Sequence, residues 1–228
     1  MLLFLKMEKL SLRQLKDSFL NLIFPAVCIH CGERLARQKD FICKNCHDII
    51  QYRELLYEEL VIDSSYDSLI TIAKYRKVVV SLIHELKYFS LDSIGKFIGE
   101  LIVEKLKPLN LKVDVITEVP LHFVRKRERG YNQSEIIARY IADKLDWKYD
   151  NKIFKRVRFT VAQASLEHED RRGNLKNAFE LKKNIDLKGQ IVVLLDDVFT
   201  TGTTVEECCK VLRKAKPKKI IVLTMGKA

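Results

Sequence analysis

Residues 191–204, IVVLLDDVFTTGTT, join an apolar run to two acids and then to a turn rich in hydroxyl groups. Five consecutive apolar residues at 191–195 are typical of a strand buried on both faces of a parallel sheet. Apolar residues then recur at helical spacing, which predicts a helix directly after the turn: Val205, Cys208, Cys209 and Leu212. In such a sheet, ligands bind beyond the carboxyl ends of the strands.

The chemistry of this stretch predicts a ribose 5-phosphate as the ligand. Carboxylates accept hydrogen bonds from vicinal sugar hydroxyls, while backbone N–H groups and threonine hydroxyls at a helix N-terminus favour a phosphate. A glycine in the turn removes the Cβ that would hold the phosphate away. The predicted ligands are Asp196, Asp197, Thr200, Thr201, Gly202, Thr203 and Thr204.

Two other interpretations of this stretch were weighed. The acids could cap a turn and the threonines could be ordinary strand or helix-cap residues, although the complete run in this order is rarer than any of its parts. A Walker-type ATP site is disfavoured because Gly202 is not followed by the Lys-Ser/Thr pair that this motif needs.

The rest of the chain alternates strand-like and helix-like segments, which predicts an α/β fold with a largely parallel, Rossmann-like sheet. Further strands are expected at 66–75, 114–120, 153–157 and 220–223, and further helices over 79–86, 91–102 and 136–145. Residues 159–178 are polar and lack a sustained period, so we interpret them as a functional loop or lid.

Two Cys-x2-Cys pairs near the N-terminus, separated by eleven residues, predict a metal site in a reduced compartment. Four thiolates suit tetrahedral Zn²⁺ in a structural role, with iron as the lesser alternative and disulfides as the non-metal one. The predicted ligands are Cys28, Cys31, Cys43 and Cys46. We therefore divide the chain into an N-terminal amphipathic helix (1–24), a zinc-ribbon module (25–58) and the α/β domain (59–228).

The composition suits a globular protein with a polyanionic partner. The chain has 228 residues, 47% of them hydrophobic, and a formal charge of +11. That charge is compatible with a phosphorylated substrate, nucleic acid or an anionic surface, and does not choose among them. No apolar run approaches the ~20 residues of a bilayer span. The apolar run at 1–5 is too short to be the hydrophobic region of a secretory signal. We expect a cytoplasmic protein without stable membrane insertion.

A basic segment after Pro120 is the second candidate for phosphate contacts. Arginine binds phosphate oxygens with a planar fork of donors, so the segment could hold a pyrophosphate group or a DNA backbone. A solvated basic loop is the alternative. The candidate residues are Arg125, Lys126, Arg127, Arg129, Gly130 and Tyr131.

LLDDVFTTGTT (194–204) resembles the motif that binds 5-phosphoribosyl-1-pyrophosphate (PRPP) in type I phosphoribosyltransferases. The chain is further identified as similar to the ComF competence family by other motifs: CIHC (28–31), CKNC (43–46), ELKY (85–88), EVPLHFVRKRERGYNQSEIIA (118–138) and RVRFTVAQASLEHEDRRGNLKNAF (156–179). One departure is Phe199, where the family usually has a smaller aliphatic residue.

The resemblance implies PRPP binding with Mg²⁺ and the handling of single-stranded DNA during natural transformation, with a ComFA-type DNA-translocating ATPase as partner. It also implies that the irregular segment is the lid over the site. The lid candidates are Arg156, Arg158, Gln163, Arg171, Arg172 and Asn174. An active phosphoribosyltransferase and a PRPP-sensing regulator stay open as alternatives, because no segment specifies an acceptor base.

Overall fold

The structure is a computed structural model that describes residues 25–37, 40–54, 58–59, 64–88, 92–157 and 177–228. The N-terminal amphipathic helix expected within 1–24 lies outside these residues. The chain divides into two compact units, Met1–Asp48 and Ile49–Ala228. Within the described part of the chain, none of the helices has the length and apolarity of a membrane span.

A six-stranded sheet is the framework of the second unit. In chain order the strands are β1 (Glu58–Glu59), β2 (Ser68–Lys74), β3 (Val115–Glu118), β4 (Lys148–Tyr149), β5 (Phe154–Arg156), β6 (Phe179–Leu181), β7 (Ile191–Phe199) and β8 (Lys219–Lys227). The sheet order is β1-β2-β8-β7-β3-β4, and β5 pairs separately with β6. All neighbours in the sheet are parallel except β1 and β2. The carboxyl ends of β7 and β3 therefore meet at one edge of the sheet.

Helices connect these parallel strands, which confirms the predicted α/β fold class. The first unit contains α1 (Lys44–Asp48), and the second contains α2 (Val78–Tyr88), α3 (Asp92–Leu106), α4 (Phe123–Arg129), α5 (Gln133–Leu145) and α6 (Thr203–Arg213). A short 3-10 turn at Lys107–Leu109 follows α3. The predicted strands and helices are present, with shifted ends.

Strands β7 and β8 both extend four residues beyond their predicted ends. Asp196 pairs with Thr224 and Phe199 pairs with Lys227, so the ladder continues to the end of both strands. The two acids of β7 therefore lie inside the second half of a strand and not in the turn after it. Side-chain polarity concealed this extension, because backbone hydrogen bonding does not depend on it.

The basic segment after Pro120, expected as a loop, forms the helix α4. His122 caps its first turn, with the imidazole Nδ1 accepting the N–H of Val124 at 3.3 Å. Gly130 ends the helix in a left-handed conformation at φ 78°. Arginine, lysine and glutamate between these caps are good helix formers. The helix has no apolar stripe, which is why periodicity did not indicate it.

The core is built on β7, whose residues 192–195 are each at most 1% exposed. Val192 and Leu194 share a buried cluster with Cys208 and Cys209 of α6. Both cysteines are fully buried, as expected for the apolar face of that helix. Helix α5 packs on β3 and β7. Because β7 is buried on both faces, its position in the sheet is fixed, and this determines where Asp196 and Asp197 lie.

Helices α3 and α5 approach each other closely through two glycines of α3. A Cβ on Gly95 would lie 2.6 Å from Cγ2 of Ile136, and one on Gly99 would lie 2.7 Å from Cδ1 of Tyr140. Both distances are shorter than real Cβ contacts allow. The two helices can therefore pack at this separation only if α3 presents glycine at these positions.

Replacing Gly99 should destabilise the protein by overpacking this contact. We expect Gly99→Val to lower the free energy of unfolding by about 1–3 kcal/mol. Denaturant titration of the full chain measures the change. The matched control is Lys96→Val, which places the same side chain at an exposed position of the same helix. Equal transition midpoints for the two variants would contradict the close approach.

Candidate phosphate-binding pocket and four-cysteine centre

The two acids of β7 form a coupled pair at the edge of the sheet. Oδ1 of Asp196 accepts the backbone N–H of Asp197 at 2.9 Å. Burial raises the pKa of Asp196 to about 7, and the neighbouring charge of Asp197 acts in the same direction. Two carboxylates this close do not ionise independently, so the pair carries less than two full charges near neutral pH.

Lys87 at the end of α2 neutralises this acid pair from outside the strand. Its Nζ lies 2.7 Å from Oδ2 of Asp197, and the side chains are 29% and 14% exposed. Burial opposes the charge on the lysine, but the two carboxylates outweigh it and raise the pKa of Lys87 above its ordinary value. The ion pair therefore stays charged and joins α2 to β7.

Sequence reasoning did not identify Lys87 as a site residue. It appears only inside the ELKY motif, beside Leu86 of the apolar stripe. The chain has 41 lysines and arginines, and a single sequence does not show which of them the fold brings to the end of β7. Lys87 reaches Asp197 because the fold places the end of α2 near the end of β7.

The hydroxyl-rich turn connects β7 to α6 and presents its oxygens together. The hydroxyls of Thr201 and Thr203 are 2.9 Å apart. Gly202 lies between them at φ 73°, immediately before the first residue of α6. A Cβ on Gly202 would meet Cζ of Phe199 at 2.6 Å. Glycine was predicted here because a Cβ would keep a phosphate away. The structure adds two further reasons, the left-handed backbone conformation and the contact that a Cβ would make with the ring of Phe199.

The acids and the turn line one open pocket of about 490 Å³, including its solvent-filled mouth. All seven predicted ribose and phosphate ligands border it, together with Lys87, Val198, Phe199 and Val205. Its lining combines the two carboxylates with the threonine hydroxyls and the N-terminus of α6. The pocket therefore offers acceptors for hydroxyl groups and donors for an anion within one cavity.

Two predicted arginines contribute charge next to the acids. The guanidinium of Arg156 on β5 lies 5.5 Å from the ring centre of Phe179. Burial lowers the pKa of Arg156, and the charge of Arg125 adds to this effect while Asp196 opposes it. Arg156 therefore interacts electrostatically with Asp196 of the pocket and with Arg125 of the basic segment, although neither arginine lines the pocket itself.

The other basic-segment residues have different surroundings. Nζ of Lys126 lies 3.3 Å from Oε2 of Glu135 on α5, and Arg127 is exposed. Gly130 ends α4, and the Tyr131 hydroxyl donates a hydrogen bond to the carbonyl of Leu86. The side chain of Arg129 lies outside the described residues, as do the lid candidates Arg158, Gln163, Arg171, Arg172 and Asn174.

A buried acid at the end of β3 was also missed from the sequence. Glu118 is 7% exposed and pairs in register with Leu195, the residue before the acid pair. Burial raises the pKa of Glu118 to about 7. In the sequence, Glu118 is a carboxylate at the end of an apolar strand and the first residue of the motif at 118–138. In the structure, it adds a third ionisable carboxyl group to this edge of the sheet.

The four cysteines of the first unit converge on one point. Their sulfur atoms all lie within 4.8 Å of one another, and the Sγ atoms of Cys31 and Cys43 are 3.7 Å apart. Zn–S bonds of about 2.3 Å in a tetrahedron would separate the sulfurs by roughly 3.8 Å. The backbone N–H of Cys46 contacts the Sγ of Cys43 at 3.5 Å. The donor set therefore fits a tetrahedral thiolate-bound metal.

Comparison with known proteins places this geometry in a family. The phosphoribosyl transferase domain model matches residues 97–226. Competence protein F of Haemophilus influenzae is 33% identical over 222 residues, which cover 88% of this chain and 96% of that protein. The chain belongs to the ComF family of phosphoribosyltransferase-fold proteins. The family resemblance inferred from the motifs is thereby confirmed.

Other relatives of this ComF-family chain carry a different name. The DNA utilization protein YhgH of Escherichia coli O157:H7 is 31% identical over 196 residues, covering 82% of this chain and 83% of that protein. Among solved structures, the glutamine PRPP amidotransferase of B. subtilis aligns over 61% of this chain and 30% of its own, with 20% identity and a TM-score of 0.42. That overlap is too low to support an inference.

The four-cysteine site should bind one zinc ion per chain. We expect elemental analysis of the purified full chain to find about one Zn²⁺, and Cys43→Ser to lose it because the shell is then incomplete. Cys209→Ala is the matched control, since this cysteine is buried on α6 and should leave the metal content unchanged. Iron in place of zinc, or metal retained in Cys43→Ser, would contradict the assignment.

Asp196→Asn should stabilise the protein at high pH. The folded pKa of about 7 lies above the ordinary value of 3.8, so the wild type loses stability as the pH rises between those values. The asparagine variant has no such loss. We expect its free energy of unfolding to exceed that of the wild type by about 1–3 kcal/mol at pH 8 and by less at pH 5.

Denaturant titration at both pH values measures this difference. Asp143→Asn is the control, because the carboxylate of Asp143 is 73% exposed on α5 and should give no such gain. A constant difference between wild type and Asp196→Asn at pH 5 and pH 8 would mean that the buried acid does not titrate as described.

Proposed function

We propose that this ComF-family protein binds PRPP, or a closely related ribose 5-phosphate, in the pocket at the end of β7. The observation that carries the proposal is one cavity lined both by paired carboxylates and by a hydroxyl-rich turn at a helix N-terminus. These groups are complementary to the two ends of a phosphorylated ribose. The family assignment is independent support.

The ligand atoms follow from the charges of the pocket. Asp196 and Asp197 accept the 2′- and 3′-hydroxyls of the ribose, and the turn at 200–204 donates to the 5′-phosphate. The diphosphate of PRPP would then be bound by Arg156, whose charge acts on Asp196, and by Arg125, whose charge acts on Arg156. Mg²⁺ accompanies the diphosphate and reduces its charge. The predicted lid would close over this side.

Lys87 and the ribose would share the carboxylate of Asp197. The ammonium group of Lys87 lies 2.7 Å from Oδ2. An ionised carboxylate has about four acceptor sites on its two oxygens, so Asp197 can accept a ribose hydroxyl while it keeps the ion pair. Lys87 would thereby keep a positive charge next to the bound sugar phosphate.

The biological role that we propose is the handling of single-stranded DNA in natural transformation. The relatives named competence protein F and DNA utilization protein support it, and the charge of +11 is compatible with it. We propose a cytoplasmic location and a ComFA-type DNA-translocating ATPase as partner on the same family grounds. The zinc module, with its four protein ligands, has a structural role.

A second candidate function is phosphoribosyl transfer to a nucleobase or related acceptor. The observation that favours it is the charge of Arg156, which acts on Asp196 of the acid pair and would stabilise a departing pyrophosphate. The C1–O bond to pyrophosphate would break and a bond from C1 to the acceptor nitrogen would form. A PRPP-sensing regulator would keep binding and lack this step.

Removing one carboxylate should weaken PRPP binding. We expect Asp197→Asn to reduce the affinity about 10- to 100-fold, because the amide offers the ribose hydroxyls one neutral acceptor in place of a carboxylate. Calorimetry with PRPP and Mg²⁺ measures the change. Asp143→Asn is the matched control on an exposed acid. Unchanged affinity in Asp197→Asn, or no binding by the wild type at micromolar concentrations, would contradict the proposal.

The same samples separate the two candidates. Release of pyrophosphate from PRPP in the presence of a panel of nucleobases, abolished by Asp197→Asn, supports transfer. PRPP binding without any pyrophosphate release supports a binding or sensing role.

A further inference from the structure

Helix α4 carries an unusually exposed aromatic side chain. Phe123, its first residue, is 70% exposed, more than any other large apolar side chain in the described part of the chain. Exposing a phenyl ring to water is unfavourable, and neither the PRPP pocket nor the core uses it. A single exposed apolar side chain is common on protein surfaces, so its meaning depends on the residues around it.

The ring of Phe123 packs against the imidazole of the preceding residue, His122. The ring of Phe123 lies 4.4 Å from that of His122, with an angle of 43° between the planes. His122 is 4% exposed and caps the helix through Nδ1. The phenyl ring thus projects from a rigid helix start, which reduces the conformational entropy lost when a partner binds.

Two cations lie on the same face, one helical turn further on. Residues three and four positions apart are neighbours on a helix, so Lys126 and Arg127 flank the ring of Phe123. Both are exposed, and Lys126 is tied to Glu135 at 3.3 Å by its Nζ. An exposed aromatic ring with two adjacent cations is the pattern of proteins that bind single-stranded nucleic acids.

We propose that Phe123, Lys126 and Arg127 form a stacking platform for one base of single-stranded DNA and its flanking phosphates. This rests on the DNA-handling role proposed above and identifies its surface. A duplex hides the faces of its bases, so the ring selects a single strand. A free nucleobase would contact only the ring, whereas a polymer also places phosphates next to the two cations. The charge pattern therefore favours the polymer.

The platform lies at the same edge of the sheet as the PRPP pocket. Helix α4 follows β3, whose last residue, Glu118, pairs with Leu195 beside the acid pair. Arg125 of the same helix interacts electrostatically with Arg156, which in turn interacts with Asp196 of the pocket.

Fluorescence anisotropy with a labelled oligothymidylate tests the platform on the full zinc-loaded chain. We expect Phe123→Leu to bind about tenfold more weakly and Phe123→Trp to bind at least as tightly as wild type, because leucine keeps the apolar volume but lacks an aromatic face. Val80→Ala, which trims an exposed apolar side chain on α2, is the control and should not change affinity.

The salt dependence separates stacking from phosphate contact. Arg127→Gln should reduce the slope of log affinity against log salt by about 0.7, the value for one phosphate of a single strand, whereas Phe123→Leu should leave the slope unchanged. Lys218→Gln, an exposed lysine just before β8, is the control for charge alone. Thermal melts of all variants check that the fold is retained.

The outcomes distinguish this inference from the function on which it rests. If the wild type binds the oligonucleotide and the Phe123 variants bind equally well, the platform is wrong and the DNA role stands. If the wild type binds no single-stranded DNA at micromolar concentrations, both are wrong, while PRPP binding is judged by calorimetry. Weaker binding by Phe123→Leu to a free nucleobase or to a duplex, and not to the single strand, would also overturn it.

Discussion

The pairing of Asp196 and Asp197 with Lys87 is the interaction on which the rest of the site depends. Two adjacent carboxylates at the end of a buried strand repel each other and lose hydration, and burial raises the pKa of Asp196 to about 7. The ammonium group of Lys87, 2.7 Å from Asp197, compensates for much of this. The fold thereby maintains an arrangement of acids that is unfavourable without a cation or a ligand.

The sequence was sufficient for the α/β fold and for the pocket, because both depend on local patterns. The apolar run at 191–195 and the helix stripe after Thr204 bracket the polar turn, so all seven predicted ligands line one cavity. Helix α4 was missed because its stability comes from caps and propensity and not from an apolar face. Lys87 and Glu118 were missed because tertiary contacts bring them to the site, and a single sequence does not show such contacts.

Different forces stabilise the two units of this protein. The sheet domain buries a continuous apolar strand at its centre, with every residue of 192–195 at most 1% exposed. The described residues of the first unit instead bring four sulfur atoms within 4.8 Å of one another. If these thiolates bind a metal ion as proposed, coordination would supply much of the folding free energy of this small module.

The hydrogen bond from the Tyr131 hydroxyl to the Leu86 carbonyl has a mechanical consequence. Leu86 immediately precedes Lys87, and Tyr131 immediately precedes the N-terminal cap of α5. The last turn of α2 and the segment that leads from α4 into α5 are thus linked by a strut that resists separation. A displacement of the lysine would therefore act directly on the residue that precedes the cap of α5, without passing through the sheet.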